Sequence, residues 1–213
     1  MIHLIYCSAR DTEWASIAIE AGWHYGAQLP NAAHFAPDFV DQDWNNPVRA
    51  QYLAALRENR PRWATVLDLE RRDQLAEVLG WAEDAAALVQ DSVIIIPKAF
   101  GVIGLLPSVI GGRQVVLGYS VRTAFGGTTV PYHEFGHRPV HLLGGSPRAQ
   151  FQAARFLNVV SADGSWARKI ANKFAEGITT TFQRVKPHDR HEAFSISCRS
   201  IRDRWQMFDK GHK

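Results

Sequence analysis

The chain has 213 residues, 46% hydrophobic and 21% charged, with a formal net charge of +3. That balance is the one expected of a globular protein with a large core, and it argues against a disordered or fibrous chain. No apolar run approaches the roughly 18 residues of a membrane span, and the two cysteines, Cys7 and Cys198, are too few for a disulfide framework or a cysteine zinc cluster. One domain over 1–213 in the cytoplasm, with no membrane contact, is the expectation.

The elements alternate along the chain. Short apolar, β-branched runs at 2–6, 34–40, 63–69, 92–98, 114–120, 139–145 and 157–163 read as strands, and helical spacing marks 12–21, 47–59, 72–89, 147–156 and 164–176. An eighth strand lies in GWHYGAQL (22–29) or in ITTTFQRV (178–185). Near-continuous apolar strands alternating with helices predict a parallel sheet covered on both faces, and eight of them a compact TIM-like (β/α)8 barrel. A doubly wound open sheet is the alternative. Over 188–208 the residues Phe194, Cys198, Ile201, Trp205 and Phe208 share one helical face, so a C-terminal amphipathic helix should pack on the barrel, with 209–213 left as a loose end. From Arg184 to Lys213 there are eight Lys or Arg against four Asp or Glu, so this tail is basic and contact with DNA or RNA stays open.

Polar residues and glycines stand where the apolar runs end. Asp41 follows HFAPDFV, Asp68 and Glu70 end WATVLDLE, Lys98 ends VIIIPK, Tyr119 and Ser120 end VVLGYS, Gly144 and Gly145 end VHLLGG, and Asp163 ends VVSAD. In a parallel barrel these ends converge on one rim, where acids and a lysine would perturb one another's protonation. Trp44, Phe100, Tyr119 and Trp166 are candidate walls for a heterocycle. The loop RTAFGG, Arg122 to Gly127, could receive an anion.

His133-Glu134-Phe135-Gly136-His137 matches H-E-x-x-H, which holds zinc when a helix brings both histidines to one face. Gly126, Gly127 and Pro131 before it, Gly136 within it and Pro139 after it oppose such a helix, so a loop on the barrel rim is expected, with a zinc hydrolase as the alternative.

The order LGYS, Gly-rich loop, LLGGSPRAQ and VVSADGSW, preceded by PDFVDQDW and VIIIPKAFG, resembles the tRNA-guanine transglycosylase superfamily over residues 34–176. These are base-exchanging barrels that insert 7-deazaguanines into tRNA, with DNA-modifying relatives. The resemblance implies that Asp163 is the nucleophile at C1′ of the sugar and Asp41 the acid or base facing the heterocycle, with Asp43 beside it. Gly118 and Tyr119 would line the base pocket, Gly144 and Gly145 would let substrate approach the backbone, and Asp68 would hold an exocyclic amine or sugar hydroxyls. The chain lacks the clustered cysteines of the family's zinc subdomain, and Lys98 stands where glutamine is usual. A reduced barrel acting without a cofactor on a nucleoside or nucleobase follows, as a monomer or a homodimer.

Two other readings compete. Lys98 on the rim could form a Schiff base in an aldolase or lyase, and a barrel without catalysis could bind a nucleotide.

Overall fold

A computed structural model describes residues 2–7, 12–30, 35–122, 127–175 and 187–211. Nine strands occur among them, in chain order β1 (His3–Cys7), β2 (His24–Leu29), β3 (Phe39–Gln42), β4 (Trp63–Leu69), β5 (Ser92–Pro97), β6 (Val109–Ile110), β7 (Arg113–Ser120), β8 (Pro139–Leu143) and β9 (Asn158–Asp163). The hydrogen-bonded order is β5-β4-β3-β2-β1-β9-β8-β7-β6, and β5 also pairs with β7 in parallel. That last pairing closes eight parallel strands into a (β/α)8-type barrel. β6 stands outside it as an antiparallel hairpin partner of β7, turned by Gly111 and Gly112, whose φ values of 55° and 76° suit glycine.

The helices are α1 (Thr12–Glu20), α2 (Arg49–Asn59), α3 (Leu75–Ala86), a single turn α4 (Tyr132–Phe135), α5 (Pro147–Ala154), α6 (Trp166–Ala175) and α7 (Arg190–Gly211). None of them is long and apolar enough to cross a membrane. α7 packs on α1 and α6, burying Phe194, Cys198, Ile201 and Trp205 as its pattern predicts, and it runs to Gly211, three residues past its expected end.

Two apolar layers follow from the two-residue period of the strands. Outward positions such as Leu4, Tyr6, Val40, Val93 and Leu117 meet the helices, while Ile5, Phe39, Trp63, Ile94, Ile96 and Val116 fill the barrel. The filling is tight enough to require glycine twice. A Cβ at Gly26 would lie 2.7 Å from Cys7 Sγ, and one at Gly118 would lie 2.5 Å from Ile96 Cγ1.

Two expectations shift. The eighth strand is His24–Leu29, and ITTTFQRV falls outside the described residues. The strand placed at 34–40 occupies Phe39–Gln42, where the chain pairs in register with Gly26–Leu29 of β2. Asp41 therefore sits inside a strand, pointing into the barrel two residues after Phe39. Between β5 and β7, where the sequence marks no helical spacing, the chain forms a 3-10 turn and β6.

Candidate functional site

The strands' C-terminal ends enclose a cleft of about 670 Å³, lined by residues that include Asp41, Trp44, Asp68, Glu70, Lys98 and Asp163. Asp41 and Asp163 form its floor. Each is the inward residue of the barrel's top layer, two positions beyond an inward Phe39 or Ser161.

Asp41 Oδ1 accepts a 2.7 Å hydrogen bond from Thr65 Oγ1, which in turn accepts the Gln42 N–H at 2.9 Å. Burial raises the Asp41 carboxyl to about 7, and the nearby Asp163 and Asp68 charges push the same way against the Thr65 hydrogen bond. Asp163 Oδ1 accepts the Gly144 N–H at 2.8 Å. Gln150 Nε2 donates to the Gly144 and Asp163 carbonyl oxygens, both at 2.8 Å, and so straps the glycine loop to the end of β9. Gly145 cannot be replaced there, since its φ is 76° and a Cβ would stand 2.4 Å from Val121 Cγ1. Ser146 caps α5 through the Ala149 N–H, with Pro147 in the first turn.

Lys98 contacts the Asp68 carboxylate through its ammonium and lies 3.9 Å from Glu70 Oε1. Burial pushes the Asp68 carboxyl up, and the Lys98 ammonium opposes it. With its amine engaged by one carboxylate and close to a second, Lys98 is not presented to a carbonyl carbon, which disfavours the Schiff-base role.

Four contributors escape sequence inspection. Cys7 ends β1 beside both floor acids, and burial followed by the Asp163 and Asp41 charges pushes its thiol far up, so it stays protonated. Thr65 and Gln150 hold the floor as described above. His141 is fully buried, stacked on Phe39 at 5.0 Å between ring centroids, with Nδ1 2.8 Å from Ser161 Oγ and Nε2 3.6 Å from Asp163 Oδ1. The two-residue period from Ile5 to Cys7 and from His141 to Leu143 is the available signal.

Some expected residues stand elsewhere. Gly118 lies below the cleft, packed against Ile96 and Leu143 side chains. Tyr119 points outward, against Tyr132 and Phe135 at 5.1 and 5.5 Å, and so does not line the base pocket. Arg122 spends its guanidinium on the Thr128 and Thr129 carbonyls at 3.0 and 3.5 Å, and most of RTAFGG lies outside the described residues. Asp43 sits at the edge, accepting the Asn45 N–H at 3.1 Å. Ser120, Gly144 and Gly145 do line the cleft, and Trp44, 64% exposed, stands at its mouth. Phe100 is exposed on the surface, and Trp166 lies under Lys169, 5.6 Å from its ring.

His133, Glu134 and His137 are not on the rim. They lie outside the cleft: His133 and Glu134 sit on α4, which packs on the outward Tyr119, and the His137 carbonyl accepts from Asn158 at the start of β9. α4 stops at Phe135 and Gly136 takes φ 53°, so one turn cannot present both histidines on a helical face. Glu134 instead accepts the Gly101 N–H at 2.9 Å.

A model of the family of unknown function DUF6610 matches residues 18–206. No curated protein matches the chain. Among solved structures, tryptophan synthase subunit alpha from Legionella pneumophila is similar at 13% identity, over 95% of this chain and 91% of that one, with a TM-score of 0.41. Phosphoribosylanthranilate isomerase from Thermotoga maritima is similar at 9% identity, over 95% and 100%, with a TM-score of 0.41.

Proposed function

The chain belongs to DUF6610, a family of unknown function, and from the acids of the cleft, with the base taken from the sequence resemblance described above, we propose an enzyme that cleaves or exchanges an N-glycosidic bond in a guanine-like or 7-deazaguanine nucleoside. One observation carries this reading. Two acids share a floor: Asp41 is raised to about 7 and so can hold a proton, while Asp163 accepts the Gly144 N–H. Such a division suits a reaction in which positive charge grows on a sugar while negative charge grows on a leaving base.

In the first step a carboxylate oxygen of Asp163 bonds to C1′ as the C1′–N bond breaks, and its electron pair leaves with the base nitrogen. Asp41 gives that base its proton. In the second step water or an incoming base attacks C1′, the ester bond breaks back to the Asp163 carboxylate, and Asp41 takes the proton. Trp44 offers a stacking face at the mouth.

The charge of the cleft supports a free nucleoside over a polymer. Among the described residues of the cleft, Asp68, Glu70 and Asp163 outnumber the one cation, Lys98, and would repel a phosphate backbone. They would stabilise a developing sugar cation.

Incubation with a panel of nucleosides and deazaguanine bases, followed by denaturing intact-mass spectrometry, tests the reading. A sugar adduct on the wild type that Asp163→Asn lacks is the expected result. No adduct and no base release with any nucleoside would overturn it.

A further inference from the structure

On the flank of the barrel, away from the cleft, α5 and α7 form the walls of a groove of about 500 Å³, lined by Arg148, Phe151, Gln152, Arg155, Arg204, Met207 and Phe208. We propose that this groove docks an acidic amphipathic helix of a partner protein.

The two walls carry matched stripes. Positions 148, 151 and 152 of α5 and its C-terminal cap Arg155 fall on one face, and 204, 207 and 208 on one face of α7. Arginine, aromatic and methionine side chains are the types enriched in protein interfaces. Met207 is 67% exposed, an apolar side chain at the open edge of the groove. The Arg204 guanidinium lies 4.8 Å over the Phe151 ring, which holds it flat for a carboxylate.

The charge is one-sided. Arg148, Arg155 and Arg204 are exposed, and none has a carboxylate partner among the described residues. α5 contains no acid at all. On α7, Asp203 is taken by the neighbouring Arg202 at 2.9 Å, and Asp209 borders a different pocket beside His3. Arg148 also sits in the first turn of α5, where a helix favours negative charge. Three unopposed cations around apolar side chains are complementary to a helix that places carboxylates on both sides of an apolar stripe.

A labelled helical peptide of about 20 residues, with leucine at every third or fourth position and glutamate between, probes the groove by fluorescence anisotropy. Binding to the wild type that weakens with salt, falls about tenfold or more in the double variant Arg148→Glu, Arg204→Glu, and falls again in Met207→Ala is expected. Arg57→Glu, an exposed arginine on α2, should leave binding unchanged. An equal loss in Arg57→Glu would reduce the effect to general charge and overturn the proposal. So would absence of binding, a preference for a single-stranded oligonucleotide over the peptide, or a dimer in sedimentation that the Arg148→Glu, Arg204→Glu variant dissociates.

Discussion

Thr65 donates to Asp41 across the β3–β4 pair at 2.7 Å, and because its oxygen already accepts the Gln42 N–H, its own proton is committed to Asp41. The bond therefore favours the Asp41 carboxylate. With Thr65→Val the carboxyl rises above its value of about 7. Since the first step needs the protonated acid, the pH at which kcat/KM begins to fall should move to higher pH, as a pH–rate profile on the eventual substrate would read.

Asp41 also makes stability depend on pH. Its carboxyl titrates at 3.8 as a free side chain and at about 7 in the fold, so between these values the folded state keeps a proton that the unfolded state has lost. Stability therefore falls as pH rises through this window, by an amount on the order of 4 kcal/mol. Asp41→Asn should remove that slope. In urea unfolding it should match the wild type near pH 4 and exceed it near pH 8, while activity falls by about 100-fold or more.

Gln150→Leu leaves the Gly144 and Asp163 carbonyls without the donor they share. Unfolding experiments should show a loss of about 1–3 kcal/mol. The glycine loop then no longer fixes Asp163, so kcat should fall more than KM rises.

Gly118→Ala would press a methyl against Ile96 at 2.5 Å and Leu143 at 2.9 Å. A loss of about 1–3 kcal/mol is expected from overpacking. Adding Ile96→Val opens space on the same side and should recover part of it. Additive effects in the double variant would contradict the packing account.

Removing the Lys98 cation tests the rim pair. Lys98→Met leaves Asp68 half-buried without its partner, and its carboxyl, already raised by burial, should rise further. The variant should lose stability as pH rises above the ordinary carboxylate range, and Asp68→Asn in the same chain should restore most of it. Borohydride with a small ketone should leave wild-type Lys98 unmodified, since an ammonium paired with carboxylates is a poor nucleophile.

Much of the fold was legible because strand and helix periods differ. SVIIIP is buried at every position, as a barrel strand walled by side chains on both faces should be, and α7 shows its apolar face at helical spacing. HYGAQL was harder to place, since Gly26 is there for room beside Cys7 and Phe39, which no local propensity reveals. Strand-end acids brought Asp41, Asp68, Lys98 and Asp163 to one cleft. The direction of Tyr119 was missed because one residue of register separates the barrel interior from its exterior. His133 and His137 were expected on the rim, but α4 lies on the flank and leads into β8. Cys7, Thr65 and Gln150 matter through contacts with chain segments far off in sequence, and short motifs do not encode these.

Trp23 Nε1 donates to the Cys198 carbonyl across 175 positions of sequence, and Arg202 reaches the Ala21 carbonyl from the same helix. The first helical layer is thus sealed by a helix made long after it. Until α7 arrives, Tyr6 and Trp14 lack the Phe194 ring and Trp23 lacks the Cys198 carbonyl, and the nascent barrel presents a sticky aromatic seam to whatever chaperone stands nearby. Synthesis halted before Arg190 should therefore yield an aggregating intermediate, not a smaller soluble barrel.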